Sequence, residues 1–353
     1  MADVVFRIGT ICEALEARQL LSVGGLYSVP VSPTQSVSED GGWKFALNPS
    51  GSPQSSSFND GSWNSVTLPH TWDAAVGNTP TGDGWYRKSI TISPSMIGDE
   101  IYLQFEGANQ TATVWVDGVK VATHAGGFSA FDVDVTAKMT AGTHVVAVDV
   151  NNNTSANVSP AGGGDFIEEG GLYRDVSLVA VSKTHVALAE PVVAADASGS
   201  VLAGSGVYFS NSTVVTGATS APVQVKTVLD DLGSAENVSV TSYLVNAAGV
   251  IVAQQSTTTA MAAGKTDFTI SQSATVANPH LWAGRADPYL YDLYVEVRDT
   301  SSGKLLDLNH QQVGIRSFSI SASNGFFLNG QSYKLVGVDL SQDSGATAMP
   351  CAG

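Results

Sequence analysis

Positive charge, cysteine and long apolar runs are all scarce in this chain, and each shortage removes a class of function. Lys and Arg number 16 against 32 Asp and Glu, a formal net charge of −16 over 353 residues. Neutralising phosphates needs Lys and Arg in excess, so nucleic acid is excluded as a partner, and an anionic membrane surface is disfavoured for the same reason. A neutral ligand such as a sugar meets no such conflict. The two cysteines, Cys12 and Cys351, stand one near each end. They have no metal-ligand spacing and cannot make a disulfide framework, so free thiols are expected. The apolar stretch Val4-Val5-Phe6-Arg7-Ile8 is too short and too interrupted to cross a membrane or to form a signal-peptide core. There is no Gly-x-Ser-x-Gly elbow and no zinc spacing, and His70 and His124 lack a partner carboxylate with a Ser or Cys nucleophile. No Asp/Glu cluster singles out a Ca²⁺ site. No cofactor is expected.

No segment sustains a 3.6-residue apolar period. Instead, runs such as Ile101–Phe105, Thr111–Val116 and His144–Val150 are rich in β-branched and aromatic residues between Gly, Asn, Asp and Pro clusters. That rhythm predicts an all-β protein of sandwich type. Asp117-Gly118 predicts a tight hairpin, because both residues tolerate the positive φ of a primed turn. Charges nearly vanish between Leu188 and Val223, which marks the crossing to a second run of strands. Near the start, Leu15 to Ser22 resembles the leader of many large exported bacterial proteins, and the expected location is secreted or periplasmic.

Several motifs follow one another in an order that is more specific than any one of them. Gly42-Trp43-Lys44-Phe45 precedes Phe58-Asn59-Asp60-Gly61-Ser62-Trp63, Val66-Thr67-Leu68-Pro69-His70-Thr71-Trp72 and Gly84-Trp85-Tyr86-Arg87-Lys88. Phe105 to Asn109, Val114 to Gly118, Gly126 to Phe131 and Asp165 to Val176 then appear in turn. Asn278 to Trp282, Asp287 to Tyr291 and Val313 to Phe318 follow, then Phe327 to Gly330 and Tyr333 to Val338. This series resembles the non-catalytic domains of glycoside hydrolase family 2, the family of β-galactosidases, β-glucuronidases and β-mannosidases. The β-galactosidase branch is the nearest in pattern.

The resemblance implies a jelly-roll, galactose-binding-like β-sandwich over residues 40–183 and an immunoglobulin-like β-sandwich over 184–318. A leader or extension (1–39) would precede them. Residues 319–353 would hold the first hairpin and strand of a (β/α)8 barrel and a loose tail. The family's two catalytic glutamates lie on later barrel strands and are not in this sequence. The barrel's opening motif usually reads Gly-Val-Asn-Arg-His-Gln-Asp, whereas Gly337 to Asp343 reads Gly-Val-Asp-Leu-Ser-Gln-Asp. That erosion suggests a natural short form. The apolar strand expected at Tyr333–Val338 would pack on one of the sandwiches or across a dimer interface, since an exposed apolar strand invites aggregation.

By the same resemblance, Asp165 reaches toward a bound galactose, where a carboxylate can accept paired charge-assisted bonds from adjacent hydroxyls. The alternative is a loop residue capping its own backbone. Glu168 and Glu169 are further carboxyl candidates for catalysis, although adjacent strand residues point to opposite faces. Trp72, Trp85 and Trp115 offer stacking faces for a pyranose, with core packing as the competing role. Arg87 and Arg174 are expected to pair with Asp83 or Asp175. Three functions remain open: a carbohydrate-binding or accessory protein, with a β-galactoside as the expected partner; a barrel-free β-galactosidase using Asp165 with Glu168 or Glu169; and an oligomerisation module.

Overall fold

The structure, a computed structural model, describes residues 24–72, 80–155, 157–158, 169–188 and 206–338. The leader-like segment, both cysteines, Asp165, Glu168, the Asp339-to-Asp343 motif and the tail lie outside the described residues. The chain forms two compact units.

The first unit spans Thr34–Ser182. Its strands are β1 (Gln35–Ser38), β2 (Trp43–Leu47), β3 (Asn64–Val66), β4 (His70–Trp72), β5 (Asp83–Ile92) and β6 (Glu100–Phe105). They continue with β7 (Thr111–Val116), β8 (Val119–Ala125), β9 (Phe131–Asp134), β10 (Gly142–Asn151), β11 (Gly170–Leu172) and β12 (Val176–Val181). One sheet runs β1-β12-β6-β9 and the other β3-β2-β5-β10-β7-β8. Neighbours that are distant in sequence mark a jelly-roll sandwich rather than a meander.

Alternation explains the packing. Val146, Val148 and Val150 of β10 and Val114 of β7 are fully buried, and each such side chain contributes roughly 1.5–3 kcal/mol of apolar burial. The intervening residues face outward. Trp43, Tyr86 and Phe105 fill the space between the sheets. The β7–β8 hairpin turns at Asp117 and Gly118 with φ of 49° and 82°, as their residue types predict.

The second unit has strands β13 (Thr184–Val186), β14 (Val207–Asn211), β15 (Ser220–Asp231), β16 (Glu236–Val245), β17 (Ile251–Met261), β18 (Lys265–Ala277), β19 (Tyr291–Asp299) and β20 (Leu305–Val313). In one sheet β15 pairs with β13, β14 and β18. The other runs β17-β16-β19-β20. Val238, Val240, Val295 and Val297 are fully buried between them. This is an immunoglobulin-like sandwich.

Two expectations need correction. Residues 24–39 are not a free extension. Gln35–Ser38 is the edge strand beside β12. Tyr27 packs its ring 4.8 Å and 4.5 Å from those of Tyr243 and Tyr294, and donates its hydroxyl to Glu296 at 2.8 Å.

The other correction concerns the end of the second unit. A hairpin of β21 (Phe318–Ser321), β22 (Gly325–Leu328) and the short β23 (Gln331–Ser332) is anchored through Asn329, which donates to the Trp282 carbonyl at 2.9 Å. Tyr333 then meets Gly284, where an added Cβ would lie 2.5 Å from its hydroxyl. The strand expected at Tyr333–Val338 does not form. Leu335, Val336 and Val338 are exposed, because among the described residues no strand pairs with them.

Candidate functional site

The loop end of the first unit is built around β4 and β11, which pair Gly170 with Trp72 and Leu172 with His70. Glycine is required here by contact. A Cβ at Gly170 or Gly84 would come within 2.0 Å or 2.1 Å of the Trp72 ring. That ring also stacks on Phe45 at 5.7 Å, and its Nε1 donates to the Pro80 carbonyl at 3.1 Å. Trp72 is only 6% exposed. It is a wall of the core, and the sugar-stacking role expected of it is corrected: both faces are already covered.

Of the three carboxyl candidates, only Glu169 is described. Its carbonyl accepts from the Asn109 amide side chain, and its Oε1 is buried. Asn109 in turn exchanges backbone bonds with Gly171 at 2.9 Å and 3.2 Å. The base of the segment that carries Asp165 is thereby fixed to the sandwich. Beside it, Tyr173 donates to the Gly127 carbonyl at 2.5 Å. His124 lies 3.2 Å from the Ser129 hydroxyl, and burial lowers its pKa, so the imidazole is neutral near pH 7. Phe128 projects from the same turn, 59% exposed. A neutral hydrogen-bonding ring and an open aromatic face suit a sugar. In the sequence His124 has no nucleophile partner and Phe128 is one residue of the Gly126-to-Phe131 motif; the Gly126-Gly127 turn before Phe128 is the available signal.

The expected partners of the arginines also change. Arg87 pairs with Asp60 at 2.9 Å, not with Asp83, and it donates to the carbonyls of Pro53 and Ser55. One guanidinium thus ties down the loop between β2 and β3. Arg174 donates to the Glu106 carbonyl at 3.3 Å and covers the Tyr173 ring.

Trp85 and Trp115 occupy the opposite situation from Trp72. Directly paired residues share a face, so register places Trp85, Asp149 and Thr113 in one row across β5, β10 and β7. Arg87, Ala147 and Trp115 form the next row, and Asp83, Asn151 and Thr111 the row on the other side. The buried valines of β10 alternate with these positions, so all three rows lie on the outer face. The two partly buried indoles stack at 5.0 Å and 27°. Asp149 is pushed up to about 7, first by burial and then by the charge of Asp83. Its Oδ1 is buried without a hydrogen-bond partner, whereas Asp83 accepts from the Asn151 amide.

In the second unit, a groove of about 570 Å³ is lined by uncharged groups, among them Asn211, Gln224, Gln255 and Ser273.

A jelly-roll sandwich with a built loop end is followed in the chain by an immunoglobulin-like sandwich. Residues 46–182 match "Glycosyl hydrolases family 2, sugar binding domain", and residues 207–316 match "Glycosyl hydrolases family 2". The chain belongs to glycosyl hydrolase family 2.

It is 29% identical over 329 residues to the β-galactosidase BoGH2A of Bacteroides ovatus, covering 89% of this chain and 35% of that protein. It is 26% identical over 325 residues to a β-glucuronidase of Formosa agariphila, covering 84% and 31%. The solved structure of Bacteroides uniformis β-glucuronidase 2, covalently bound to cyclophellitol-6-carboxylate aziridine, superposes with a TM-score of 0.77. It is 29% identical, with 86% of this chain and 35% of that one covered. The chain therefore spans about a third of the length of the relatives it matches. Their activities divide between galactosides and glucuronides. The likeness establishes the family and does not single out the β-galactosidase branch.

Proposed function

We propose that this chain is a carbohydrate-contacting, non-catalytic β-region of a family 2 glycosidase-like protein, acting outside the cytoplasm on a β-galactoside or a related β-glycoside. The observation that carries the reading is the match of residues 46–182 to the family's sugar binding domain. The sugar would sit at the loop end, on Phe128 and within reach of Asp165, whose segment is held at its base by Glu169 and Asn109. Contacts on one side of a sugar bind weakly, so a Kd at the millimolar end, about 4 kcal/mol, is expected.

Saturation-transfer NMR with methyl β-D-galactopyranoside and methyl β-D-glucuronide tests this. Transfer from the protein to at least one glycoside, weakened by Asp165→Ala and by Phe128→Ala, is the expected result. No transfer to either sugar overturns the reading. Hydrolysis of a nitrophenyl β-galactoside that disappears in the combined Asp165→Ala, Glu168→Ala and Glu169→Ala variant would overturn its non-catalytic part, and would assign those carboxylates the chemistry instead.

A further inference from the structure

We propose that the outer face of the six-stranded sheet carries a second carbohydrate site, separate from the loop end, which stacks an uncharged pyranose on Trp85 and Trp115 while sugar hydroxyls donate to Asp149 and Asp83. The proposal rests on the reading above only in taking a glycoside as the ligand.

Outward positions of a sheet need no large aromatic residue, yet this face holds two of the chain's six tryptophans, on either side of β10 and one row apart. Their stacking uses one face of each ring against the other, so a pyranose would lie on the remaining outward face of the indole pair. Ala147 points outward between Arg87 and Trp115 in its row and is nevertheless 1% exposed, so the side chains around it lie over the sheet instead of standing away from it. Flat aromatic surface is what the apolar C–H face of a pyranose requires.

Polar groups edge that surface on one side. Asp149 has a buried oxygen with no donor, and a buried acceptor left unpaired marks a missing partner. The other oxygen of Asp149 is not closed off in this way, and it is the one that a hydroxyl of a stacked sugar would donate to. Asp83, two residues from Trp85 on β5, adds a second acceptor and is oriented by Asn151. Asp83, joined by Asp149 as pH rises through about 7, repels a uronate, which favours uncharged sugars as the ligand. At the other end, Arg87 pins the Pro53–Asp60 segment through its carbonyls and Asp60. Backbone of that segment approaches Gly118 at the β7–β8 turn, giving the surface a fixed border.

The test follows the indole N–H resonances of the full chain, assigned through Trp85→Phe and Trp115→Phe, during titration with methyl β-D-galactopyranoside, methyl β-D-glucuronide and calcium chloride. Saturable movement of both resonances with the galactoside is expected, with at least about tenfold weaker response to the glucuronide. Asp149→Ala is expected to weaken the galactoside response roughly tenfold, while Asp165→Ala leaves it unchanged. Indoles that stay still to roughly 100 mM galactoside, or that respond to calcium alone, overturn the proposal. So does a response that Asp149→Ala does not alter. Because the wild-type titration needs no substitution, misfolding of a variant cannot mask the answer. Saturation transfer to the galactoside with unmoved indoles would sink this site and leave the loop-end reading standing.

Discussion

At position 149 a carboxyl is held where burial and the neighbouring charge of Asp83 make ionisation costly. Its value moves from an ordinary 3.8 to about 7 on folding. Between those two values the native state binds more protons than the unfolded chain, so this group lowers stability as pH rises through that window. Arg87, two residues beyond Trp85 on the same face, does not offset the effect because it is engaged by Asp60. Asp149→Asn should therefore melt close to the parent near pH 4 and increasingly above it toward pH 8. Thermal unfolding at several pH values checks this, and a gap that does not grow with pH would refute it. The outward tryptophans were legible as candidates from their strand runs. The environment of Asp149 was not, because Trp85 and Asp83 become its neighbours only through the β5–β10 register.

At the scale of elements, the contact of β4 and β11 with the strand β5 depends on two glycines facing one indole. Gly170→Ala would drive a methyl group to about 2.0 Å from Trp72, an overpacking that costs roughly 1–3 kcal/mol or more. Gly41→Ala, where nothing lies within 4 Å, should change stability by less than about 0.5 kcal/mol. Urea denaturation of the two variants distinguishes contact from generic loss of glycine. The β7–β8 turn could be read from Asp117-Gly118 alone, since a primed turn is a local conformational demand. The edge strand β1 could not: Gln35–Ser38 has no marked alternation and is a strand because β12 pairs with it. The same holds for the loop between β2 and β3. Its ion pair joins Arg87 to Asp60 across a turn in the chain, while sequence proximity favoured Asp83.

For the whole molecule, each sandwich closes its own apolar core, one around Trp43, Tyr86 and Phe105 and one around Val238, Val240 and Val295. A fragment of residues 34–182 should accordingly unfold cooperatively and keep the indole response to galactoside. Calorimetry and the same NMR titration on that fragment test this, with a non-cooperative melt as the contrary outcome. Strand after strand without helical periodicity, the turn residues between them and the fixed order of motifs determined an all-β fold and a family resemblance without any coordinates. Those signals are local, or depend only on order along the chain. Tertiary structure alone decided which tryptophans are core and which are surface, because strand pairing sets the face each side chain takes. It buried Trp72 against Phe45 and two glycines, turned Trp85 and Trp115 outward, and brought Asp83 and Asp149 onto adjacent strands, where their charges interact.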